Sequence, residues 1–331
     1  MKFSFVIPCF NEAANIGRCV ESVRTAINYW QQSITGENAQ AEILVIDNGS
    51  EDDSVAIANR LADRVVECNR INISRLRNQG GNAAQGEFII FLDGDIVVPE
   101  IWLSAIDEFF AQPNRDAVGF VDIAPDDAPW YAKLWAQRVI SRRGKLCPVD
   151  FLPGRNISVR KSMFDKVGGF DSNLKTGEDK DFIMRIRQAG GQVFSAPSPK
   201  LLHLGYEKSF KEWMRKEYWR QHSHIDLISK QGLNPRIVRF PAIALAHILI
   251  QVAVVVSLLS GSPLQALVLL YASFLPGACQ TLLFSYSRRN LNAILGFSFM
   301  YWVRFHVAGI SIIRAYMEYR EEKNTAAKNL S

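Results

Sequence analysis

The sequence predicts an α/β domain with a mostly parallel, Rossmann-like sheet, followed by a C-terminal helical membrane region. Short apolar runs of strand length alternate with stretches whose apolar residues recur every three or four positions. Short polar turns join these runs, which is the pattern of parallel strands connected by helices. Residues 240–287, in contrast, contain no Asp, Glu, Lys or Arg among 48 positions, and such a length suits helices that enter a membrane.

The predicted strands are apolar runs that end at a proline, an acid or a glycine. They cover residues 3–7, 43–46, 64–67, 88–92 and 117–122, with a further strand near Val193. The run at residues 88–92, Phe-Ile-Ile-Phe-Leu, is unbroken, which is typical of a strand buried on both faces. We therefore expect it near the centre of the sheet. Predicted helices include residues 73–85, 161–167 and 182–189.

Two acids, Asp93 and Asp95, follow the predicted central strand and are separated by Gly94. Asp47 ends the second predicted strand in the same way. The carboxyl ends of parallel strands meet at one edge of a sheet, where ligands bind, so these acids predict one pocket. Mg²⁺ and Mn²⁺ prefer oxygen ligands and combine carboxylates with phosphate oxygens. The alternative is a plain turn, because Asp-Gly is a frequent loop dipeptide.

The amino-acid composition and the absence of several motifs exclude some classes of protein. The chain has 331 residues, a net charge of +5 and five scattered cysteines without a Cys-x-x-Cys pair. We infer neither a zinc site nor a disulfide framework, and hence a reducing compartment. No Walker loop, no Gly-x-Gly-x-x-Gly after a strand and no His-Glu-x-x-His motif occurs. We expect no signal peptide, because Pro8 and Asn11 interrupt the first apolar run too early.

The charge-free stretch is predicted to form a helical hairpin, with helices at residues 241–260 and 264–287. Basic residues flank it on both sides and none occupies its tip: Lys230, Arg236 and Arg239 precede it, and Arg288 and Arg289 follow it. By the positive-inside rule both ends lie in the cytoplasm. A buried hairpin in a soluble core is the alternative. Residues 290–313 are apolar but include Arg304 and His306, so an interfacial helix is predicted there.

These observations predict four regions. They are an α/β domain at residues 1–207, a basic amphipathic neck helix at 208–239, a membrane region at 240–317 and a polar tail at 318–331. Residues 200–239 hold nine Lys or Arg against four Asp or Glu, a surplus equal to the net charge of the chain. A second stretch mixes aromatic and basic side chains: Trp130, Tyr131, Lys133, Trp135, Arg138, Arg142, Arg143 and Lys145. It is predicted either to lie on anionic lipid or to pack over the binding cleft.

Six short motifs resemble those of family 2 glycosyltransferases with the GT-A fold. In chain order they are Phe5-Val-Ile-Pro-Cys-Phe-Asn-Glu12, Ile46-Asp-Asn-Gly-Ser50, Arg77-Asn78-x-Gly80, Asp93-Gly-Asp95, Gly168-Gly-Phe-Asp171 and Gly177-Glu-Asp-x-Asp181. Each motif alone is a weak signal. All six occur in the order of the family between about residues 3 and 203, and together they are specific.

The resemblance implies an inverting glycosyltransferase of the hexosyltransferase class and assigns roles to residues. Pro8, Glu12 and Asp47 would line the pocket for base and ribose of a nucleotide sugar, with Arg77 at its diphosphate and Asn156 beside the sugar. Asp93 and Asp95, with His203, would hold Mg²⁺ or Mn²⁺. Plainer alternatives remain for several of them: Glu12 could favour a helix N-terminus, Arg77 could lie on a solvated helix face, and Asn156 and His203 could be structural.

The segment Gly177-Glu-Asp-Lys-Asp181 opens a predicted helix, and the resemblance makes Asp179 the general base for the acceptor hydroxyl. Glu178 would orient the acceptor or the base. Asp181 is predicted to cap the helix or to pair with Arg185 four residues on. Three acids at a helix N-terminus also have a plain explanation, because they complement the helix dipole.

The expected donor is a nucleotide sugar, with a UDP-sugar as the first choice, and the expected acceptor is a hydroxyl of a lipid-linked or other glycan. The expected location is the cytoplasmic face of the inner membrane, with no nucleic-acid partner. The Gln-x-x-Arg-Trp signature of processive synthases is absent, which predicts single addition. Two alternatives are a polyprenyl-phosphate glycosyltransferase, which needs no base, and a nucleotide-binding membrane scaffold without catalysis.

Overall fold

The computed structural model describes residues 1–33, 40–137, 145–174, 176–282 and 291–328. The chain divides into two compact units. The first unit comprises Met1–Ala128 and Val139–Tyr206, and the second comprises Pro129–Arg138 and Glu207–Ser331.

The described residues of the first unit form a sheet of nine strands. In chain order the strands are β1 (Phe3–Cys9), β2 (Ala41–Asp47), β3 (Arg64–Glu67), β4 (Phe88–Leu92), β5 (Ile96–Val97), β6 (Ala117–Ile123), β7 (Cys147–Pro148), β8 (Asn156–Arg160) and β9 (Val193–His203). Their order across the sheet is β3-β2-β1-β4-β8-β6-β9-β5, with β7 paired to β9. Strands β3, β2, β1 and β4 are mutually parallel, whereas β8 is antiparallel to both β4 and β6.

The helices of the first unit connect and cover these strands. They are α1 (Ile16–Ser33), α2 (Ser54–Leu61), α3 (Ile73–Ala83), α4 (Trp102–Phe110), α6 (Lys161–Val167) and α7 (Glu178–Gln188), whereas α5 (Trp130–Gln137) belongs to the second unit. The predicted strands at residues 64–67 and 88–92 and the predicted helix at 161–167 are confirmed. Strand β8 was not predicted, although its five residues alternate polar and apolar side chains as strand residues do.

The sheet separates two apolar cores, since successive side chains of a strand point to opposite faces. In β1, Phe3, Phe5 and Ile7 pack with α1 and α4, whereas Val6 packs on the other face with α3, α6 and α7. The predicted central strand β4 is buried throughout. It therefore supplies both cores.

Helix α3 lies unusually close to the sheet. A Cβ added to Gly80 would lie 2.2 Å from Val6 Cγ1, and one added to Gly81 would lie 2.6 Å from the ring of Phe164. Glycine at both positions permits this close approach. It brings Arg77, one turn earlier in α3, towards the end of β4.

The second unit is helical. It comprises α5, α8 (Phe210–His222), α9 (His224–Gln231), α10 (Pro235–Leu259), α11 (Pro263–Leu282) and α12 (Leu291–Lys328). Three segments are long and apolar enough to cross a membrane: Ile237–Leu259, Pro263–Leu282 and Leu291–Thr325. Many of their apolar side chains are exposed, among them Leu249, Val252, Val256, Leu267 and Leu275.

The boundaries within this unit differ from the predicted ones. The predicted neck helix at residues 208–239 is two helices, α8 and α9, and Gly232 in a left-handed conformation ends the second of them before Pro235 starts α10. The predicted interfacial helix at 290–313 and the tail at 318–331 are joined, since α12 continues to Lys328. Good helix formers and ion pairs such as Arg314–Glu318 explain this continuation.

Several predicted features lie outside the described residues. They are Arg138, Arg142, Arg143, Arg288 and Arg289, the end of the second hairpin helix at residues 283–287, and residues 329–331.

Candidate active site

The candidate site lies where β1, β2 and β4 end at one edge of the sheet, as the positions of the acids predict. Asp93 directly follows β4, Asp95 precedes β5, and Glu12 follows β1. Helices α3 and α7 contribute Arg77 and Asp179.

The guanidinium of Arg77 joins two acids from distant parts of the sequence. Its Nη2 donates to Asp93 Oδ1 at 3.1 Å and its Nη1 to Glu178 Oε1 at 2.8 Å. The side chain is 4% exposed and lies over the ring of Phe170. Burial alone would lower the pKa of Arg77, but the charges of Asp93, Glu178 and Asp179 outweigh burial and raise it. Arg77 is therefore a permanent cation surrounded by an excess of acids.

The loop at residues 153–155 connects the acids of this cluster. Its Gly154 N–H donates to Asp179 Oδ2 at 3.0 Å, and the carbonyl oxygen of Arg155 accepts the N–H of Asp93 at 3.0 Å. A Cβ on Gly154 would lie 2.8 Å from Arg77 Nη1, so a larger residue where the loop passes the guanidinium would displace it. Asp93 and Asp179 thus flank the same short loop.

Asp179 lies in the first turn of α7 and is partly exposed. Burial, followed by the charge of Glu178, raises the pKa of Asp179 to about 6, although Arg77 and the Gly154 N–H act in the opposite direction. A carboxyl group with this pKa is a stronger base than an ordinary aspartate. The neighbouring Asp181 instead accepts a hydrogen bond from Arg185 Nε at 2.7 Å, which confirms the predicted pair.

A second cluster of polar side chains consists of Asp95, His203, Asp122 and Arg155. Asp95 Oδ2 lies 3.4 Å from His203 Nε2, and the other ring nitrogen, Nδ1, lies 3.9 Å from Asp122 Oδ2. Arg155 Nε donates to Asp122 Oδ1 at 2.8 Å. Burial would raise the pKa of Asp95, but His203 and Arg155 outweigh burial and lower it. A Cβ on Gly205 would overlap Asp95 Oδ2, so a larger residue there would displace the carboxylate.

Pro8 and Glu12 lie beside the turn that carries the two acids. A Cβ on Gly94 would lie 3.4 Å from the carbonyl oxygen of Pro8 and 3.8 Å from Glu12 Cγ. Burial, with the charges of Asp95 and Asp93, raises the pKa of Glu12, although Asn15 donates to it at 3.0 Å. The charges of Asp93 and Asp95 therefore disfavour the ionised form of Glu12.

Two family models match the chain. Glycosyl transferase family 2 matches residues 4–168, and Glycosyl transferase family group 2 matches residues 88–310, more than half of the chain. The chain belongs to the family 2 glycosyltransferases. It is thus an enzyme that transfers a sugar, and the sequence motifs identified the family correctly.

Curated relatives agree with this family. Glycosyltransferase AglE of Haloferax volcanii is 27% identical over 229 residues, covering 65% of this chain and 70% of the relative. Succinoglycan biosynthesis protein ExoO of Rhizobium meliloti is 24% identical over 233 residues, covering 65% of this chain and 64% of the relative. The chain thus spans about two thirds of the length of these relatives.

A solved structure confirms the GT-A fold. The mannosyltransferase PcManGT from Pyrobaculum calidifontis, in complex with GDP-Man and Mn²⁺, superposes with a TM-score of 0.58 at 17% identity. The superposition covers 93% of this chain and 87% of PcManGT. At this level of identity the similarity establishes the fold.

The structure places Asp47 differently from the other predicted donor-binding acids. It is 1% exposed, and its Oδ2 accepts the N–H groups of Gly49 and Ser50, both at 2.9 Å. Its Oδ1 accepts the hydroxyl of Ser50. These bonds hold the loop after β2, so a contact of Asp47 with ribose stays a prediction.

The side-chain oxygen of Asn156 also has a structural role. Asn156 Oδ1 accepts the N–H of Phe120 at 2.6 Å, which bridges β8 and β6 beyond their last paired residues. Its Nδ2 is buried and has no hydrogen-bond partner in the described part of the chain. A contact of this amide with the donor sugar stays a prediction, as does a contact of Arg77 with the diphosphate.

Asp122 and Arg155 are site residues that the sequence analysis did not select. A signal existed for Asp122, because it ends an apolar run at residues 117–121 just as Asp47 and Asp93 end theirs. Arg155 carries no comparable signal. Only the antiparallel pairing of β8 with β4 brings it to the site.

The residues at Asp95 fit a divalent cation bound jointly with a ligand. Asp95 Oδ1 is buried and has no hydrogen-bond partner among the described residues, which is costly unless a cation or donor meets it. Within the described ranges no group of three or more His, Cys, Asp and Glu is arranged to hold a metal ion by itself. An open site with one or two carboxylates plus diphosphate oxygens is the arrangement that Mg²⁺ uses with nucleotides.

Proposed function

We propose that this chain is a metal-dependent, inverting glycosyltransferase that moves a sugar from a nucleotide-sugar donor to a hydroxyl of a membrane-held acceptor. The observation that carries the proposal is the acid cluster around Arg77, where Asp93, Glu178 and Asp179 meet beside Asp95. Arg77 faces three acids, and this excess of negative charge suits a site that receives a further cation together with its substrate.

Asp179 would act as the general base. Its raised pKa and partial exposure suit a group that takes a proton from the acceptor hydroxyl as that oxygen attacks the anomeric carbon. Glu178, held by Arg77, would orient the acceptor. Attack from the side opposite the leaving diphosphate would invert the configuration.

Asp95, Asp93 and His203 would hold Mg²⁺ or Mn²⁺, and Mn²⁺ in PcManGT supports this choice. When bound, the ion would act as a Lewis acid that stabilises the negative charge of the departing diphosphate. Pro8, Glu12 and Asp47 would bind the nucleoside, Asn156 would lie beside the sugar, and a UDP-sugar is our first choice of donor. PcManGT binds GDP-Man, so the base requires a direct test.

The acceptor would be a lipid-linked glycan of a cell-surface polysaccharide, made on the cytoplasmic face of the inner membrane. The name of ExoO, a succinoglycan biosynthesis protein, and the apolar helices α10 and α11 support this acceptor. The Lys/Arg surplus in residues 200–239 supports the cytoplasmic orientation.

Within the second unit, we propose that the hairpin α10–α11 enters the membrane and that α12 lies at its interface. Helix α12 runs beside the polar helix α8, since Arg304 Nε donates to Glu217 at 2.7 Å and Ser311 Oγ donates to the carbonyl oxygen of Tyr218 at 2.7 Å. A helix that shares buried ion pairs with a charged neighbour is better suited to the interface than to hydrocarbon.

The catalytic proposal is tested by the release of nucleoside diphosphate from a panel of nucleotide sugars, with full-length protein, Mn²⁺ and a polyprenyl-diphosphate-linked glycan. Asp179→Asn is expected to lower kcat by about 10²–10⁴-fold, the usual contribution of a general base. A polyprenyl-phosphate glycosyltransferase needs no base and would keep its rate. Asp126→Asn, an exposed acid of the same unit, serves as the control.

The membrane proposal is tested by flotation with anionic vesicles. Val252→Glu combined with Val256→Glu places two charges on exposed apolar positions of α10, each costing roughly 2.5–3.5 kcal/mol at the centre of a bilayer. We expect the double variant to float far less than the wild type. The control is Tyr29→Glu on α1, and equal flotation of all three proteins would refute hairpin insertion.

A further inference from the structure

We propose that Asp122 is a positioning residue that fixes the orientation and tautomer of His203, so that Nε2 of the ring is free to bind a metal next to Asp95. This inference rests on the proposed metal-dependent function and extends it to two residues, Asp122 and Arg155, that neither the motifs nor the comparisons assign.

The imidazole of His203 lies between two carboxylates. Its Nε2 is 3.4 Å from Asp95 Oδ2, and its Nδ1 is 3.9 Å from Asp122 Oδ2. The backbone holds this arrangement from both sides, because His203 pairs with Ile96 across β9 and β5 and Leu204 N–H donates to the carbonyl oxygen of Asp95 at 2.8 Å. The ring therefore has one nitrogen at each acid.

Asp122 is placed to act on the ring rather than on a substrate. It is 2% exposed, and Arg155 Nε donates to its Oδ1 at 2.8 Å, which leaves Oδ2 on the side of His203. The register of β6 and β9 shifts between Phe120 and Asp122. An irregularity of this kind re-aims side chains and is frequent next to active sites.

The chemistry of imidazole gives the arrangement a consequence. A neutral histidine donates from one ring nitrogen and accepts at the other. Asp95 Oδ2 is the nearer carboxylate oxygen, 3.4 Å from Nε2, and the 3.9 Å between Nδ1 and Asp122 Oδ2 is longer than a hydrogen bond. With a cation bound at Asp95, Asp122 would be the carboxylate left to accept a ring proton, which would favour the proton on Nδ1 and leave the lone pair on Nε2 for the metal. Arg155 offsets the free-energy cost of burying the charge of Asp122, because an unpaired buried carboxylate is strongly unfavourable.

A purely structural role is the competing explanation for Asp122. The Asp122–Arg155 pair also fixes the loop at residues 153–155, which contacts Asp93 and Asp179. Loss of that loop would reduce activity and stability. It would not selectively remove a histidine nitrogen from a metal that remains bound at Asp95, so the two explanations differ in a spectroscopic signature.

The experiment measures Mn²⁺ bound to the full-length protein with a nucleoside diphosphate, using titration by EPR and pulsed EPR of ¹⁴N couplings. Wild type is expected to show a histidine nitrogen coupling that His203→Gln abolishes. Asp122→Asn is expected to weaken Mn²⁺ binding by about 10–100-fold, the usual effect of removing a partner of a ligating histidine, and to reduce the ¹⁴N coupling. Asp116→Asn, at the other end of β6, is the matched control and should change neither.

The outcomes separate this inference from the proposed function. If Asp122→Asn retains both the affinity and the ¹⁴N coupling, the positioning role is refuted. If wild type binds Mn²⁺ through Asp95 without any histidine coupling, the positioning role also fails while the proposed reaction stands. Absence of Mn²⁺ binding that depends on Asp95 would overturn the proposed function itself.

A second measurement avoids substitution of Asp122 altogether, in case that variant does not fold. ¹⁵N NMR of histidine-labelled wild type with Mg²⁺ and nucleoside diphosphate reports the tautomer of His203, assigned by its loss in His203→Gln. A proton on Nδ1 supports the inference. A proton on Nε2 contradicts it.

Discussion

Each unit of the chain contains a cluster in which arginine and acids meet, and the two clusters differ in their balance of charge. In the first unit Arg77 faces Asp93, Glu178 and Asp179. In the second, Arg304 and Arg220 both pair with Glu217, and Arg220 also pairs with Glu207. Among the described residues, two arginines there pair with two acids, whereas in the first unit Arg77 faces three acids.

The difference indicates which cluster performs chemistry. A balanced buried network satisfies its own charges and holds helices together. An excess of acids remains costly until a proton or a cation arrives, and perturbed acids of this kind concentrate at functional sites. The pKa values agree, since burial raises the pKa of Asp93, Glu12 and Asp179 in the first unit.

A large effect is expected at Asp95, beside the excess of acids, where the cation would bind. Asp95→Ala should lower kcat by about 10²–10³-fold at saturating donor, the scale of losing one preorganised electrostatic interaction with developing charge. Turnover of the nucleotide sugar with Mn²⁺ measures it, with Asp126→Ala as control. Unchanged kcat would mean that the acid excess does not serve a metal.

A substitution in the balanced cluster of the second unit should lower the stability of the protein. Arg304→Gln leaves Glu217, which is fully buried, with one arginine where it had two, and we expect a loss of about 1–3 kcal/mol in the free energy of unfolding. Denaturation of the detergent-solubilised protein measures it. Arg314→Gln, an exposed arginine on the same helix, should change little. Equal stability of both variants would refute a structural role for this network.

A smaller, graded effect is expected from pH. Asp179 must be ionised to accept a proton, so kcat/KM should fall about tenfold for each pH unit below about 6. A rate that stays constant down to pH 5 would contradict Asp179 as the base.

The raised pKa of Asp179 also predicts that stability changes with pH in the direction opposite to activity. The folded-state pKa of Asp179 lies above its ordinary value of 3.8, so its contribution to stability is full below about pH 4 and is lost as pH rises through about 6. Asp179→Asn removes this penalty. Its melting temperature should therefore exceed that of wild type at pH 8 and match it at pH 4, as calorimetry can measure.

The acids that end strands were predictable, whereas their partners were not. Asp93 and Asp95 follow an apolar run of strand length, and parallel strands bring such ends together. Arg77 meets Glu178 across 101 residues of sequence, and only the close packing of α3 on the sheet creates that contact. Asp122 and Arg155 meet because β8 is inserted antiparallel between β4 and β6, and no local pattern encodes that insertion.

In the helical second unit, too, sequence patterns predicted the elements but not their contact partners. The charge-free stretch predicted two apolar helices, because local composition suffices for that inference. Besides its local helix formers and ion pair, α12 contacts α8 through His222 and Glu318 and contacts α9 through Ser229 and Tyr319. Local pattern could not reveal these partners.

The most direct test of the central claim is the anomalous diffraction of Mn²⁺ in crystals of the full-length protein grown with a nucleoside diphosphate. The account predicts an anomalous peak next to Asp95, with the diphosphate of the nucleotide adjacent to that peak. The carboxylate of Asp179 should open into the same cleft. A peak elsewhere, or an Asp179 that opens into a separate cavity, would contradict it.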